Sequence, residues 1–185
     1  MADVDEREPE TDRGVEFDLH NVGAGREVLG SADLAREHDH VIAVLLRNHY
    51  CPRSRALVED LSDRYDEFAA RGIEVVPVLP DVRGRALVWN RRYDLPFPML
   101  ADPRVEIADG GTPDEFDAFR SVRRTLPRLP GVAVFECVDD RLRIVPRHDE
   151  PTPRDAPTID SLLARVDARR DGETADPSGE IGADS

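Results

Sequence analysis

Apolar and polar positions alternate along this chain with two different periods, and the change from one to the other marks its elements. Val41-Ile42-Ala43-Val44-Leu45-Leu46 is an unbroken apolar run, the pattern of a central strand covered on both faces. From Pro52 the spacing changes to three and four, through Leu57, Val58, Leu61, Tyr65, Phe68 and Ala69. This predicts one amphipathic helix with proline in its tolerated first turn and Gly72 just past its end. Ile73 to Leu79 is the next strand. A strand, a helix and a second strand joined by so short a turn predict a right-handed crossover and a parallel pair. Pro77 within that second strand cannot donate to a ladder, so the strand is expected toward an edge of the sheet.

On the N-terminal side, Val15-Phe17-Leu19 and Val28-Leu29 flank Gly23-Ala24-Gly25 and predict a hairpin lead-in. Ser31 is then expected to cap a short helix ending near His38. On the C-terminal side, a helix is predicted over Val82 to Tyr93, and an extended, proline-bounded piece over Leu95 to Ala101. A further helix is expected over Asp114 to Leu126, entered through Thr112 and Pro113. Val132 to Val138 and Leu142 to Val145 flank the turn residues Asp139-Asp140 and read as a β-hairpin. Thr158 opens a last helix carrying Ile159, Leu162, Leu163 and Val166. The segments 1–14 and 171–185 are charged and aperiodic and read as disordered acidic tails around one domain, 15–170.

Composition narrows the function. The net charge of −14, from 39 acidic against 25 basic residues, argues against nucleic acid and anionic membranes, whose phosphates call for a basic face. No stretch has the length to span a bilayer, and the acidic start is unlike a signal peptide, so a cytoplasmic location is expected. Every basic residue counted there is arginine, and lysine and glutamine are absent, a bias expected of a salt-adapted, high-GC proteome such as a haloarchaeon's. Two cysteines, Cys51 and Cys137, are too few for a disulfide scaffold and are not clustered as zinc ligands. His38 and His40 lack a second ligand cluster, and Gly23-Ala24-Gly25 and Gly110-Gly111 lack a phosphate-loop context. No metal or cofactor is expected.

Cys51 is the residue placed for chemistry. It stands between the apolar run and the helix opening at Pro52, where unpaired N–H groups and the helix dipole favour thiolate over thiol. With Cys51 as N-cap, Ser54 is one turn on, where its hydroxyl can donate to a thiolate. Arg47, His49 and Arg53 are the nearby cations in sequence; the turn Asn48 to Tyr50 breaks the strand phase, so the sequence leaves open which one faces the sulfur.

The order of elements is similar to the thioredoxin fold, an α/β architecture with a central mixed sheet flanked by helices, here with an N-terminal β-hairpin extension. Arg47-Asn48-His49-Tyr50-Cys51-Pro52-Arg53-Ser54, Asp63 to Phe68 followed by Gly72 to Val76, and Tyr93 to Asp102 resemble the alkyl hydroperoxide reductase and thiol-specific antioxidant family, the peroxiredoxin branch of that superfamily. The resemblance spans roughly Val15 to Val145. Peroxiredoxins usually carry a proline seven residues and a threonine three residues before the reactive cysteine; Val44 and Asn48 stand there instead. Arg47 with Cys51-Pro52-Arg53-Ser54 looks like a peroxiredoxin-like branch with an arginine before a Cys-x-x-Cys pair, its second cysteine replaced by Ser54.

The resemblance implies Cys51 as nucleophile toward hydrogen peroxide or organic hydroperoxides, with Ser54, Arg47 and Arg128 assisting. Pro52, His49 and Pro130 would form the substrate-binding surface, and Pro130 falls where thioredoxin folds carry a cis-proline beside the active cysteine; it can equally be a proline that only ends the loop Pro127 to Gly131. A Cys-x-x-Ser segment cannot close its own disulfide, so it needs an external thiol reductant, either a thioredoxin-like protein or a low-molecular-weight thiol. The same segment permits a monothiol disulfide exchanger or a non-catalytic interaction protein, and a homodimer remains open. Cys137 is expected as a small buried core residue: if Pro130 lies beside Cys51, seven strand residues carry Cys137 about 23 Å off, against about 7 Å for bridged Cα atoms.

Overall fold

The structure is a computed structural model that describes residues 14–103, 115–145 and 158–174. Its centre is β3 (His40–Leu45), buried along its whole length. Because successive side chains point to opposite faces, Ile42 and Val44 join one core and Val41, Ala43 and Leu45 the other. The first core is closed by helices α2 (Pro52–Asp63), α3 (Tyr65–Ala69), α4 (Arg83–Tyr93) and α6 (Ile159–Thr174), through Leu57, Leu61, Phe68, Trp89 and Leu162 among others. The second is closed by α1 (Ser31–Glu37) and α5 (Arg120–Thr125), through Leu34 and Val122, with Phe116 and Phe119.

Around β3 lie β4 (Ile73–Leu79), β5 (Leu100–Ala101), β6 (Gly131–Val138) and β7 (Arg141–Ile144), with the N-terminal strands β1 (Asp18–Asn21) and β2 (Val28–Gly30) at the far edge. The sheet order is β2-β1-β5-β4-β3-β6-β7. The pairs β3·β4 and β4·β5 are parallel and the other four antiparallel, which is the mixed sheet expected from the sequence. Asn21 fastens the N-terminal hairpin to the domain. Its Oδ1 accepts from the N–H groups of Gly23 and Met99, both at 2.9 Å, and its Nδ2 donates to the carbonyls of Ala24 and Arg26, both at 2.7 Å. The β6–β7 turn uses Asp139 and Asp140 at φ 51° and 60°, the left-handed pair that a two-residue hairpin with the right twist requires.

Six expectations need correction. Pro77 is not near an edge of the sheet, since β4 lies between β3 and β5. The proline is accommodated because β5 is short. Val78 faces β3, its carbonyl accepting from Leu46 N–H, so Pro77 faces the other side, where β5 pairs only with Val78 and Leu79 and has not yet begun. The helix read from Pro52 to Ala69 is two helices, broken at Arg64 (φ −118°, ψ 20°). There the guanidinium grips both carboxylate oxygens of Glu67 and reaches Asp160 of α6 at 2.7 Å.

The cap of α1 is Gly30, whose N–H donates to Asp33, while the Ser31 hydroxyl accepts from Phe17 N–H. The helix expected from Asp114 begins at Arg120; the chain before it is bent around the fully buried Asp102 carboxylate, which accepts the N–H groups of Asp117, Ala118 and Phe119 at 3.0–3.2 Å. Thr112, Pro113 and Asp114 lie outside the described residues, as do 1–13 and 175–185 of the expected tails. Helix α6 runs to Thr174, so 171–174 are helical rather than tail. Cys137 is half-buried rather than a full core residue. Among the described residues no helix is long and apolar enough to cross a membrane.

Candidate active site

Chain direction changes sharply after β3. Leu46 still bonds β4, Asn48 Oδ1 accepts from Tyr50 N–H at 3.0 Å, and the Asn48 carbonyl accepts from Cys51 N–H at 3.4 Å. This side-chain turn delivers Cys51 in extended geometry (φ −66°, ψ 115°) as the N-cap of α2, with Pro52 in the first helical position. Cys51 is partly exposed and in its free thiol form.

Ser54 is fully buried beneath it. Its Oγ accepts the N–H of Arg47 at 3.2 Å. With a lone pair committed to the end of β3, the hydroxyl proton is left for the sulfur. Burial is the largest influence on the Cys51 thiol and raises its pKa. The Ser54 hydroxyl, the N–H groups of Ser54 and Arg53 and the Arg47 charge together outweigh it, and the pKa is lowered. The sulfur makes no side-chain capping hydrogen bond of ordinary geometry to those N–H groups, so they act on it mainly as aligned dipoles, beside the Ser54 hydroxyl and the Arg47 charge. The sequence proposed three cations; Arg47 is the one whose charge reaches the sulfur.

His49 turns elsewhere. Its Nδ1 is 3.0 Å from Asp81 and its ring lies 3.8 Å from that of Tyr50, while its carbonyl accepts from Arg55 at 3.1 Å. Arg53 contributes its backbone N–H, and its side chain is exposed. Pro130 is buried, and the Leu129–Pro130 bond is cis. Gly131 pairs with Leu45, which sets Pro130 level with the end of β3 where the chain turns toward Cys51. A side chain at Gly131 would come within 2.7 Å of the Arg128 carbonyl. Arg128 itself is half-buried in the loop before Pro130. Thus Arg47, Cys51, Pro52 and Ser54 form one cluster with Pro130 near its strand, and His49 belongs to a neighbouring group with Asp81.

Cys137 is at the far end of β6, where its N–H donates to the Asp39 carbonyl before β3 begins. Burial, followed by Asp39 and Glu136, pushes its thiol up to about 12. Both cysteines are free. No group of three or more metal-ligating side chains exists among the described residues. Sequence reasoning missed Asp81, which becomes relevant only when β4 and the Cys51 turn are brought together, and Trp89, which read as an ordinary helix-face apolar residue.

The model of the AhpC/TSA family matches residues 12–112. The chain belongs to the AhpC/TSA family. With a thiol at a helix start in the family's redox segment, this AhpC/TSA protein is a thiol-dependent redox protein. Its fold is similar to that of a yeast mitochondrial 1-Cys peroxiredoxin, at a TM-score of 0.62 and 13% identity over 94% of this chain and 82% of that one. A 2-Cys peroxiredoxin of Plasmodium vivax matches at 0.62 and 11% over 89% and 98%. A putative thiol:disulfide interchange protein DsbE of Chlorobium tepidum matches at 0.52 and 15% over 88% and 95%. These likenesses confirm the thioredoxin-like fold. Among curated proteins, none matches the sequence.

Proposed function

We propose that this protein reduces hydroperoxides through the single thiol of Cys51, which is then reset by an external thiol. The observation that carries the reading is the Ser54 hydroxyl, pinned by Arg47 N–H beneath a partly exposed thiol of lowered pKa. The thiolate attacks one peroxide oxygen and the O–O bond breaks. The leaving alkoxide or hydroxide takes a proton from solvent, giving an alcohol or water and a Cys51 sulfenic acid. Arg47 and the α2 N-terminus offset negative charge as it moves from sulfur to oxygen. A first external thiol condenses with the sulfenic acid, releasing water and forming a mixed disulfide. A second thiol then releases Cys51 and leaves as part of a disulfide.

With Ser54 in the place of a resolving cysteine, and Cys137 at the other end of β6, both reducing thiols come from outside. A thioredoxin-like protein or a low-molecular-weight thiol supplies them. Arg128 and Pro130 are assigned to the substrate side of the site. The test is peroxide consumption with excess thiol, together with trapping of the sulfenic acid by a dimedone-type reagent. Wild type is expected to turn over and to be trapped at Cys51, and Cys51→Ser to do neither. Faster reaction with a protein disulfide than with peroxide would replace this reading by monothiol disulfide exchange. A thiol that reacts no faster than free cysteine, at a pKa near about 8.5, would leave only a non-catalytic role.

A further inference from the structure

Beside the Cys51 turn lies a groove of about 400 Å³, bounded on one side by His49, Tyr50 and Arg55 and on the other by Gly84, Arg85, Val88, Trp89, Arg92 and Tyr93 of α4. Its size falls within the range of small-molecule sites. Two features mark it. The first is apolar exposure. Of the four large apolar side chains that stand out among the described residues, Val28, Tyr50, Val82 and Val88, two line this groove, Tyr50 at 72% and Val88 at 69% exposed.

The second is charge. On a chain of net charge −14, three arginines converge here, and the adjacent carboxylate is already engaged. Asp81 is 3.0 Å from His49 Nδ1 and 3.5 Å from Arg85 Nη1. Arg55 spends Nη2 on the His49 carbonyl and its Nε has no acceptor; Arg92 stands 6.0 Å from the centre of the Tyr93 ring. Trp89, only 6% exposed, also has no acceptor for its indole N–H. An aromatic and aliphatic wall flanked by three guanidinium groups, one of them shared with Asp81, complements an apolar body carrying an anionic group.

We propose that the groove binds the carboxylate-bearing apolar body of an organic hydroperoxide and presents its peroxide to Cys51, one residue from the wall at Tyr50. Tyr50, Val88 and Trp89 take the chain, and Arg55, Arg85 and Arg92 take the carboxylate. This assignment rests on Cys51 as the peroxide-reducing thiol, and it names the substrate class that thiol meets.

The groove can be tested apart from the chemistry. Trp89 is the only tryptophan of the chain, so its fluorescence reports occupancy even in Cys51→Ser, which cannot react. Decanoate, which has no peroxide, is expected to give a saturable change there, and decanol and decyltrimethylammonium a weaker one. Arg85→Glu and Val88→Glu, both at exposed positions, are each expected to weaken decanoate by about tenfold or more. In the otherwise wild-type enzyme they should lower the ratio of kcat/KM for a carboxylate-bearing alkyl hydroperoxide to that for hydrogen peroxide. No saturable change with decanoate, an equal response to the cationic amphiphile, a change with a small peptide thiol instead, or an unaltered ratio in both variants would overturn the groove assignment. Saturable, charge-dependent decanoate binding alongside absent peroxide turnover would instead keep the groove and refute the role of Cys51.

Discussion

The strand pair β3·β6 carries a cysteine environment at each end, and the two are opposite in kind. At the end where Leu45 faces Gly131, the chain leaves β3, turns on Asn48 and presents Cys51 to N–H dipoles, a hydroxyl and an arginine, which lower its pKa against the effect of burial. At the other end, where the Cys137 N–H meets the Asp39 carbonyl, the thiol is half-buried with Asp39 and Glu136 nearby, and it is pushed up to about 12. Two identical side chains thus differ because one is aimed at the start of a helix and the other lies on a strand near carboxylates. Thiol reactivity is a property of the surrounding dipoles and charges.

Alkylation across pH separates the two thiols most directly. Iodoacetamide is expected to label Cys51 with a midpoint below the usual thiol range. Cys137 should stay unlabelled until the pH approaches about 12 or the fold opens. Peptide mapping after brief labelling at neutral pH decides it, and equal labelling would erase the distinction. The Cys137 thiol also makes stability depend on pH. Its folded pKa is raised, so its contribution is present below the ordinary thiol range and is lost as pH rises from there toward about 12. Between pH 8 and about 10, urea midpoints should fall more steeply in wild type than in Cys137→Ala.

Ser54 is the residue that most separates the two thiol environments. Ser54→Ala removes both the acceptor of Arg47 N–H and the donor to the sulfur. It is expected to raise the Cys51 pKa, slow peroxide reduction and cost about 1 kcal/mol of stability in urea unfolding. Ser54→Cys places a second thiol one turn from the first and should close a disulfide on mild oxidation, visible by non-reducing mapping; its absence would contradict the N-cap geometry. The smallest effect belongs to Arg47→Ala. Arg47 is exposed and is the least of the influences on the thiol. The Cys51 pKa should rise less than in Ser54→Ala, and the difference from wild type should shrink in about 1 M salt. A salt-independent loss would point to a structural role for Arg47.

Much of the site was legible in the chain because it is local. Cys51, Pro52 and Ser54 span four consecutive positions, and a strand-to-helix transition fixes their relation whatever else the fold does. The hairpin around Asp139-Asp140 was legible for the same reason. The break at Arg64 was hidden, because the apolar spacing continues through it and the ion pair to Asp160 joins residues far apart in sequence. The late start of α5 was hidden likewise, since the Asp102 carboxylate that gathers Asp117, Ala118 and Phe119 comes from the end of β5.

Local residue patterns are enough to specify the order of strands and helices, the thiol at a helix start and the absence of a second cysteine one turn on. These depend on side-chain periodicity and on contacts within a few residues. Packing sets the charge of Arg47, and not that of His49, to act on the Cys51 thiol, because His49 meets Asp81 only once β4 lies beside β3. It also placed Pro77 in an internal strand and built a groove of Tyr50 against α4. Each of those outcomes joins segments whose separation along the chain carries no periodic trace, so only packing could select them.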